Sequence, residues 1–211
     1  MGKINILLVE DDPVWRDCLV AYIENEQDFS LIGSAATKED AIRIFSENDV
    51  DVVLMDIVLT QNNYDGLDAV IELQAIKPVK VIMLTFLDEN EVIMDAFAVG
   101  AINYIVKTHF KQIPDAVRAA YRDESSIHAD AAKVIREEIG RMKSEEMRRM
   151  LTPAEKEILG LINEGHSKSQ ITGILRITQS TIKTHVRRIV KKFGVKTGKE
   201  AAKKAKRRGL F

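Results

Sequence analysis

Residues 4–12 read Ile-Asn-Ile-Leu-Leu-Val-Glu-Asp-Asp, an apolar run that breaks directly into three acids. A short apolar run closed by charge reads as a strand buried on both faces, the kind found in a parallel sheet covered by helices. Three later runs end in a similar way: residues 52–55 lead into Asp56, 81–84 into Thr85 and 102–106 into Lys107. In an open parallel α/β sheet the carboxyl ends of the strands line one crevice, so side chains distant in sequence meet there. Carboxylate oxygens suit Mg²⁺, while a hydroxyl and an ammonium suit phosphoryl oxygens. Each of these residues alone reads equally well as a solvated loop. The weight lies in four strand ends that carry an acid cluster, an acid, a hydroxyl and a lysine in that order.

At 211 residues the chain has room for one domain of about 120 residues and a second of about 60. The single cysteine, Cys18, excludes an intramolecular disulfide framework and fits a reducing compartment. Its spacing with Val14, Leu19 and Tyr22 places it on the core face of a first helix. No apolar run approaches the roughly 20 residues of a membrane span, and the first residues have none of the features of a signal peptide, so a cytoplasmic protein with no membrane partner is expected.

Net charge is −1, but it is divided unevenly. Residues 1–122 hold 10 Lys and Arg against 21 Asp and Glu, net −11; residues 123–150 hold 6 against 7, net −1; residues 151–211 hold 15 against 4, net +11. An acidic part joined to a basic part suits a metal-binding module tethered to one that binds a polyanion.

The basic part reads as a compact all-α bundle. Thr152-Pro153-Ala154-Glu155 is a capping box with proline at the first helical position, launching a helix that Gly165 ends. Ser167 starts a second helix ending near Leu175, and Thr178 caps a third that runs to Phe193 and stops at Gly194. A fourth covers 199–208. On the third helix Ile182, Val186, Ile189, Val190 and Phe193 form one stripe, with Thr184, Arg187, Arg188 and Lys191 opposite. A helix, a tight turn and a second helix with a basic outer face is the layout of a helix-turn-helix reader of double-stranded DNA.

On these residues, the stretch 1–122 resembles the receiver domain of two-component response regulators. By that resemblance the fold is doubly wound, flavodoxin-like α/β with a five-stranded parallel sheet. Asp11 and Asp12 take the place of the acidic pair, Asp56 that of the phosphoacceptor, Thr85 and Tyr104 those of the switch residues and Lys107 that of the lysine. Mg²⁺ is then held by Asp12, Asp56, the Val58 carbonyl and waters, with Asp11 acting through water. Asp65-Gly66 and Gly100-Ala101 match the turns before the third helix and the fifth strand. Residues 151–211 resemble the LuxR-type DNA-binding domain through Leu151-Thr152-Pro153, Gly165-His166-Ser167, Thr181-Ile182-Lys183-Thr184-His185 and Gly194-Val195. That match puts Lys183, Thr184 and Arg187 at DNA, with Arg188 and Lys191 on the same basic face. Together the two point to a response regulator of the NarL/FixJ class. A sensor histidine kinase would be its phosphoryl donor, a homodimer its activated form and DNA its target, with no catalytic turnover of its own.

Between the domains, 123–150 reads as a helical linker whose Ile127, Val134, Ile139, Met142 and Met147 form one apolar seam. Several positions depart from the family pattern. The loop after Asp56 lacks the usual Met-Pro and is about two residues longer. Phe86 replaces a small residue, Thr108 replaces a proline, and Gly198-Lys199 replaces Arg-Thr. A hydrolase with an aspartyl nucleophile would want a general acid two residues after Asp56, where Val58 stands, and no phosphate-binding Gly-x4-Gly-Lys-Ser/Thr loop exists. A receiver-containing DNA-binding protein that works without phosphorylation stays open as the alternative.

Overall fold

The computed structural model describes residues 2–60, 63–124 and 127–211. It divides into two compact units, one reaching to Ile135 and one spanning Arg136–Phe211.

The first unit is built on β1 (Ile4–Val9), β2 (Phe29–Ala35), β3 (Val52–Met55), β4 (Lys80–Thr85) and β5 (Asn103–Val106). All neighbouring strands are parallel, in the order β2-β1-β3-β4-β5. Side chains alternate across the sheet, so each strand feeds two cores. Leu7, Val9, Val53, Met55, Val81 and Met83 pack with α2 (Lys38–Glu47), α3 (Asp65–Ile76) and α4 (Asn90–Ala98). Ile6, Leu8, Leu54, Ile82 and Leu84 pack with α1 (Pro13–Glu24) and α5 (Ile113–Tyr121). Burial on both faces explains why the inner strands β1, β3 and β4 read as largely apolar runs.

Two expectations change here. Cys18 is exposed, and so is Val14. The buried face of α1 is instead Leu19 and Ile23, with Trp15 and Val20 beside them, a stripe turned by about one residue from the expected one. The apolar seam expected on the 123–150 linker is also different. Its helix, α6 (Ala129–Met150), gives Ala131 and Val134 to the first unit's core and Met147 to the second's, while Ile127, Ile139 and Met142 are exposed. Of the expected seam, only Val134 and Met147 are buried. Ser125 and Ser126, at the start of that linker, and Gln61 and Asn62, in the longer loop, lie outside the described residues.

The second unit completes itself with α7 (Pro153–Asn163), α8 (Lys168–Leu175), α9 (Gln179–Phe193) and α10 (Gly198–Arg207). Thr152 and Ser167 each close a capping box, and Thr178 and Thr197 accept the N–H bonds of Thr181 and Glu200. Ile158, Leu159, Ile171, Ile182, Val186, Ile189, Phe193 and Ala201 fill its core.

Candidate functional site

Buried ions define the crevice at the carboxyl end of the sheet. Lys107, the first residue after β5, is 2% exposed, and its Nζ lies 2.6 Å from Asp56 Oδ2 and 2.7 Å from Glu10 Oε1. Asp56 follows β3 and keeps the sheet's register through its N–H bond to Val9 O at 2.9 Å, while its Oδ1 accepts the Ile57 N–H at 2.6 Å. Thr85 closes β4, 2% exposed, opposite Val106 in the ladder and thus one position before Lys107. Its Oγ1 accepts a long 3.5 Å bond from Leu87 N.

The acid pair differs by one residue from expectation. Glu10, Asp11 and Asp56 bring their carboxylate oxygens within 4.8 Å of one another. Asp12, expected as a direct ligand, instead uses Oδ1 to accept the Val14 and Trp15 N–H groups at 2.8 and 2.9 Å, capping α1. The physical reason lies in the backbone: Glu10 N still bonds Ala35 O across the sheet, and Pro13 occupies the first helical position, so Asp12 falls at the N-cap. Arg16 secures the turn by donating to the Glu10 and Asp11 carbonyls at 2.8 and 3.1 Å. Burial, opposed by the Lys107 ammonium and reinforced by the Asp56 charge, pushes the Glu10 carboxyl up to about 7. Three acids around one ammonium leave an excess of negative charge. Their all-oxygen donor set fits a hard divalent cation such as Mg²⁺.

The loop after Asp56 is anchored by Asp65, whose oxygens accept the Leu59 N–H at 2.9 Å and the Thr60 hydroxyl at 2.7 Å. Burial works against that carboxylate, but these bonds outweigh it and hold its pKa below the usual range. Gly66 approaches so closely that a Cβ there would lie 1.9 Å from the Asp56 carbonyl oxygen. Only glycine fits. Val58 is half-buried on the same loop, and both Val58 and Leu87 pack against the core.

An aromatic pair flanks the ions. Trp15 and Phe86 meet edge to face with centroids 5.2 Å apart, and Lys107 Nζ lies 5.9 and 5.2 Å from them. Tyr104, expected to turn inward when Thr85 moves, is already fully buried, with its hydroxyl donating to Leu87 O at 2.8 Å. Burial, aided by the charge of Glu89, raises its pKa. The Thr85 and Tyr104 hydroxyls therefore hold the N–H and the C=O of Leu87.

In the second unit, α8 ends at Arg176 in the left-handed region (φ 52°), and Ile177 and Thr178 lead into α9. Ile182, Val186, Ile189 and Phe193 are buried, which leaves Lys183, Thr184, Arg187, Arg188 and Lys191 exposed on the other face. Lys168, Lys183, Arg187, Lys196 and Lys199 line one cleft. Lys168, Lys196 and Lys199 reach it from segments outside α9, so the face pattern of α9 does not point to them. Lys192, though exposed, pairs with the buried Glu155, its Nζ 2.6 Å from Oε2. His185 Nδ1 is buried with no hydrogen-bond partner among the described residues.

Two family models match the chain, one in each unit. Residues 6–118 match the family described as response regulator receiver domain, and 149–205 the bacterial regulatory proteins of the luxR family. The response regulator protein VraR of Staphylococcus epidermidis is 35% identical over 201 residues, 94% of each chain. Among solved structures, the response regulator ChrA of a heme-sensing two-component system is 26% identical over the full length of both chains, with TM-score 0.51. A structure of two RcsB dimers bound to two parallel DNAs shares the fold, at TM-score 0.57 and 16% identity over 99% of this chain and 100% of that one.

Proposed function

Since the chain belongs to the LuxR-type response regulators, a receiver joined to a helix-turn-helix domain, we propose that phosphoryl transfer to Asp56 controls how it binds DNA. The chain is a DNA-binding transcription regulator rather than an enzyme. The observation that carries the reading is the buried Lys107 at the end of β5, shared at 2.6–2.7 Å between Asp56 and Glu10 at the ends of β3 and β1.

A carboxylate oxygen of Asp56 attacks the phosphorus of a donor, a histidine kinase phosphoimidazole or a small acyl phosphate, and the bond to the donor breaks. Lys107 then leaves the Asp56 carboxylate for a phosphoryl oxygen, so the ion pair already formed is exchanged rather than created. Thr85 turns its hydroxyl to the phosphoryl group and gives up the Leu87 N–H. Leu87 is also held by Tyr104, so the segment between β4 and α4 shifts with it. Glu10, Asp11 and Asp56 are the residues that would hold Mg²⁺, with the Val58 carbonyl as a further oxygen. Bound there, Mg²⁺ supplies neutralisation of the charge that gathers on the phosphoryl oxygens.

The output is a paired reader. Lys183, Thr184, Arg187, Arg188 and Lys191 meet DNA from α9, and two copies joined through activated receivers bind half-sites about one helical turn apart. The DNA-bound RcsB dimers lend support to this arrangement. No helix among the described residues is long and apolar enough to cross a membrane; in this reading the protein works where its DNA is, in the cytoplasm. The test is incubation with Mg²⁺ and acetyl phosphate followed by mass spectrometry. A single phosphoryl group on Asp56 is expected, and full labelling of Asp56→Asn overturns the assignment.

A further inference from the structure

Outside the crevice, the described residues bring together one other cluster of metal-ligating side chains: His109, His128 and Asp130. His109 lies on the 3₁₀ segment Lys107–Gln112, at a point where the helical backbone is interrupted (φ −103°, ψ 22°). His128 and Asp130 stand at the start of α6, within the first unit. Each offers a ligand atom within 4.8 Å of the others.

Asp130 Oδ2 is the hub. It lies 3.0 Å from His109 Nδ1, 2.9 Å from His128 Nδ1 and 3.0 Å from the Val106 N–H, which it accepts. The two rings sit with centroids 5.7 Å apart. A tetrahedral site with bonds of about 2.0–2.2 Å holds its ligand atoms about 3.3–3.5 Å apart, so the two histidine nitrogens need to draw back from Asp130 Oδ2 by only a few tenths of an ångström.

The orientation of His128 adds a second argument. Its backbone N–H is fixed to Asn103 Oδ1 at 2.8 Å, and its Nε2 lies 2.6 Å from Gln112 Oε1. An Nε2–H given to that carbonyl oxygen leaves, in the neutral ring, the Nδ1 lone pair aimed at a carboxylate oxygen. Nδ1 accepts the Asp130 N–H at 3.2 Å, a long bond that a cation at Nδ1 would replace. A metal-ligating histidine commonly gives its other ring N–H to such an outer partner, which fixes the ring's orientation and tautomer. The solvent side is open, since the His109 side chain is 48% exposed while those of His128 and Asp130 are 9% and 13% exposed.

We propose that His109, His128 and Asp130 form a binding site for a borderline divalent cation of the Zn²⁺ class, with water as the fourth ligand. Two imidazoles and one carboxylate favour such a cation over Mg²⁺, which prefers oxygen alone. The site is distinct from the acidic crevice, yet the same segment of chain carries Lys107 to one and His109 to the other. A cation here ties the start of α6 to the end of β5.

The test uses the full chain, stripped of metal and kept in excess Mg²⁺ so that the carboxylate crevice is loaded. Zn²⁺ binding is measured by equilibrium dialysis, and Co²⁺ is used as a spectroscopic probe. One ion per chain is expected, giving visible Co²⁺ bands without a thiolate charge-transfer band. His109→Gln, at an exposed ring, should fold normally and weaken binding at least ten-fold, as should His128→Gln, whereas His166→Gln should not. Failure of wild type to bind at micromolar free metal overturns the proposal, and so does wild-type binding by a folded His109→Gln/His128→Gln double variant.

Discussion

Glu10, Asp56 and Lys107 are 1%, 6% and 2% exposed, whereas Lys183, Arg187, Arg188 and Lys191 all stand in solvent on α9. The first group is few, touching and dry; the second is many, separate and wet. Buried charges interact strongly with one another and pay a desolvation penalty that only well-placed partners offset, so altering one changes the state of all. Exposed charges act nearly independently, each weakly and subject to screening by salt. A switch needs the first arrangement and a polyanion reader the second.

The sharpest way to break that contrast is to remove one cation from each place. Lys107→Met leaves Glu10 and Asp56 facing each other without their shared ammonium. A loss of about 3–5 kcal/mol is expected, the usual consequence of stripping one partner from a buried pair. Lys191→Met should stay within about 0.5 kcal/mol. Urea unfolding of the two variants checks this. Equal effects would show that the crevice is not electrostatically coupled.

Glu10 extends the comparison to pH. Its folded-state pKa is raised from 4.5 to about 7, so between those values the native state binds more protons than the unfolded one. Stability therefore falls as pH rises through that window, by about 3 kcal/mol at most at 1.36 kcal/mol per unit, and the penalty persists above it. In metal-free buffer, unfolding midpoints of wild type should fall from pH 5 to pH 8 more steeply than those of Glu10→Gln. Added Mg²⁺ should recover more stability at pH 8 than at pH 6, because the cation binds the ionised acid. A wild-type slope equal to that of Glu10→Gln would remove the burial argument.

Much of the crevice was legible in sequence because three of its residues close largely apolar runs. Asp56, Thr85 and Lys107 each sit directly after or at the end of such a run. The acid pair was not. Three successive acids look alike in composition, and only the Asp12-Pro13 step, an N-cap followed by a proline, carried the signal that Asp12 belongs to α1. β2 escaped notice because Phe29–Ala35 is only partly buried along its middle and lacks an apolar run. α6 misled for another reason: a helical period shows which residues share a face, but not that two different cores cover successive parts of it. The caps Thr152, Ser167 and Thr178 were legible because capping is local chemistry. The meeting of His109 with His128 and Asp130 was invisible, being a product of the tertiary fold.

A smaller effect tests the dry side of the crevice. Losing the phosphoryl group by hydrolysis needs a water aligned behind phosphorus, and a polar side chain near it can orient that water. Val58 and Leu87 are aliphatic, packed on the core, and Phe86 stands beside Lys107. Replacing them with Asn and Glu should speed dephosphorylation of labelled Asp56 about ten-fold, or about 1.4 kcal/mol of barrier. A rate unchanged from wild type would assign the lifetime to the loop after Asp56 instead.

The smallest effects belong to single residues of α9, and here two neighbours make the comparison. Lys191 points to solvent; Lys192 pairs with Glu155, which also closes the capping box of α7. Lys183→Ala, Arg187→Ala and Lys191→Ala should each remove about one phosphate contact. The slope of log affinity against log salt should then fall by about 0.9 per contact, so that the advantage of low over four-fold higher salt shrinks about 3.5-fold. Folding should be untouched in all three. Lys192→Ala should do the reverse, lowering the stability of the second unit by about 1 kcal/mol through the stranded Glu155 carboxylate while leaving the salt slope unchanged. Fluorescence anisotropy with a labelled duplex over a salt series, beside thermal unfolding of the same variants, separates the two roles. Should Lys192→Ala alter the slope as much as Lys191→Ala, the DNA-facing surface of α9 is not the one its buried stripe of Ile182, Val186, Ile189 and Phe193 defines.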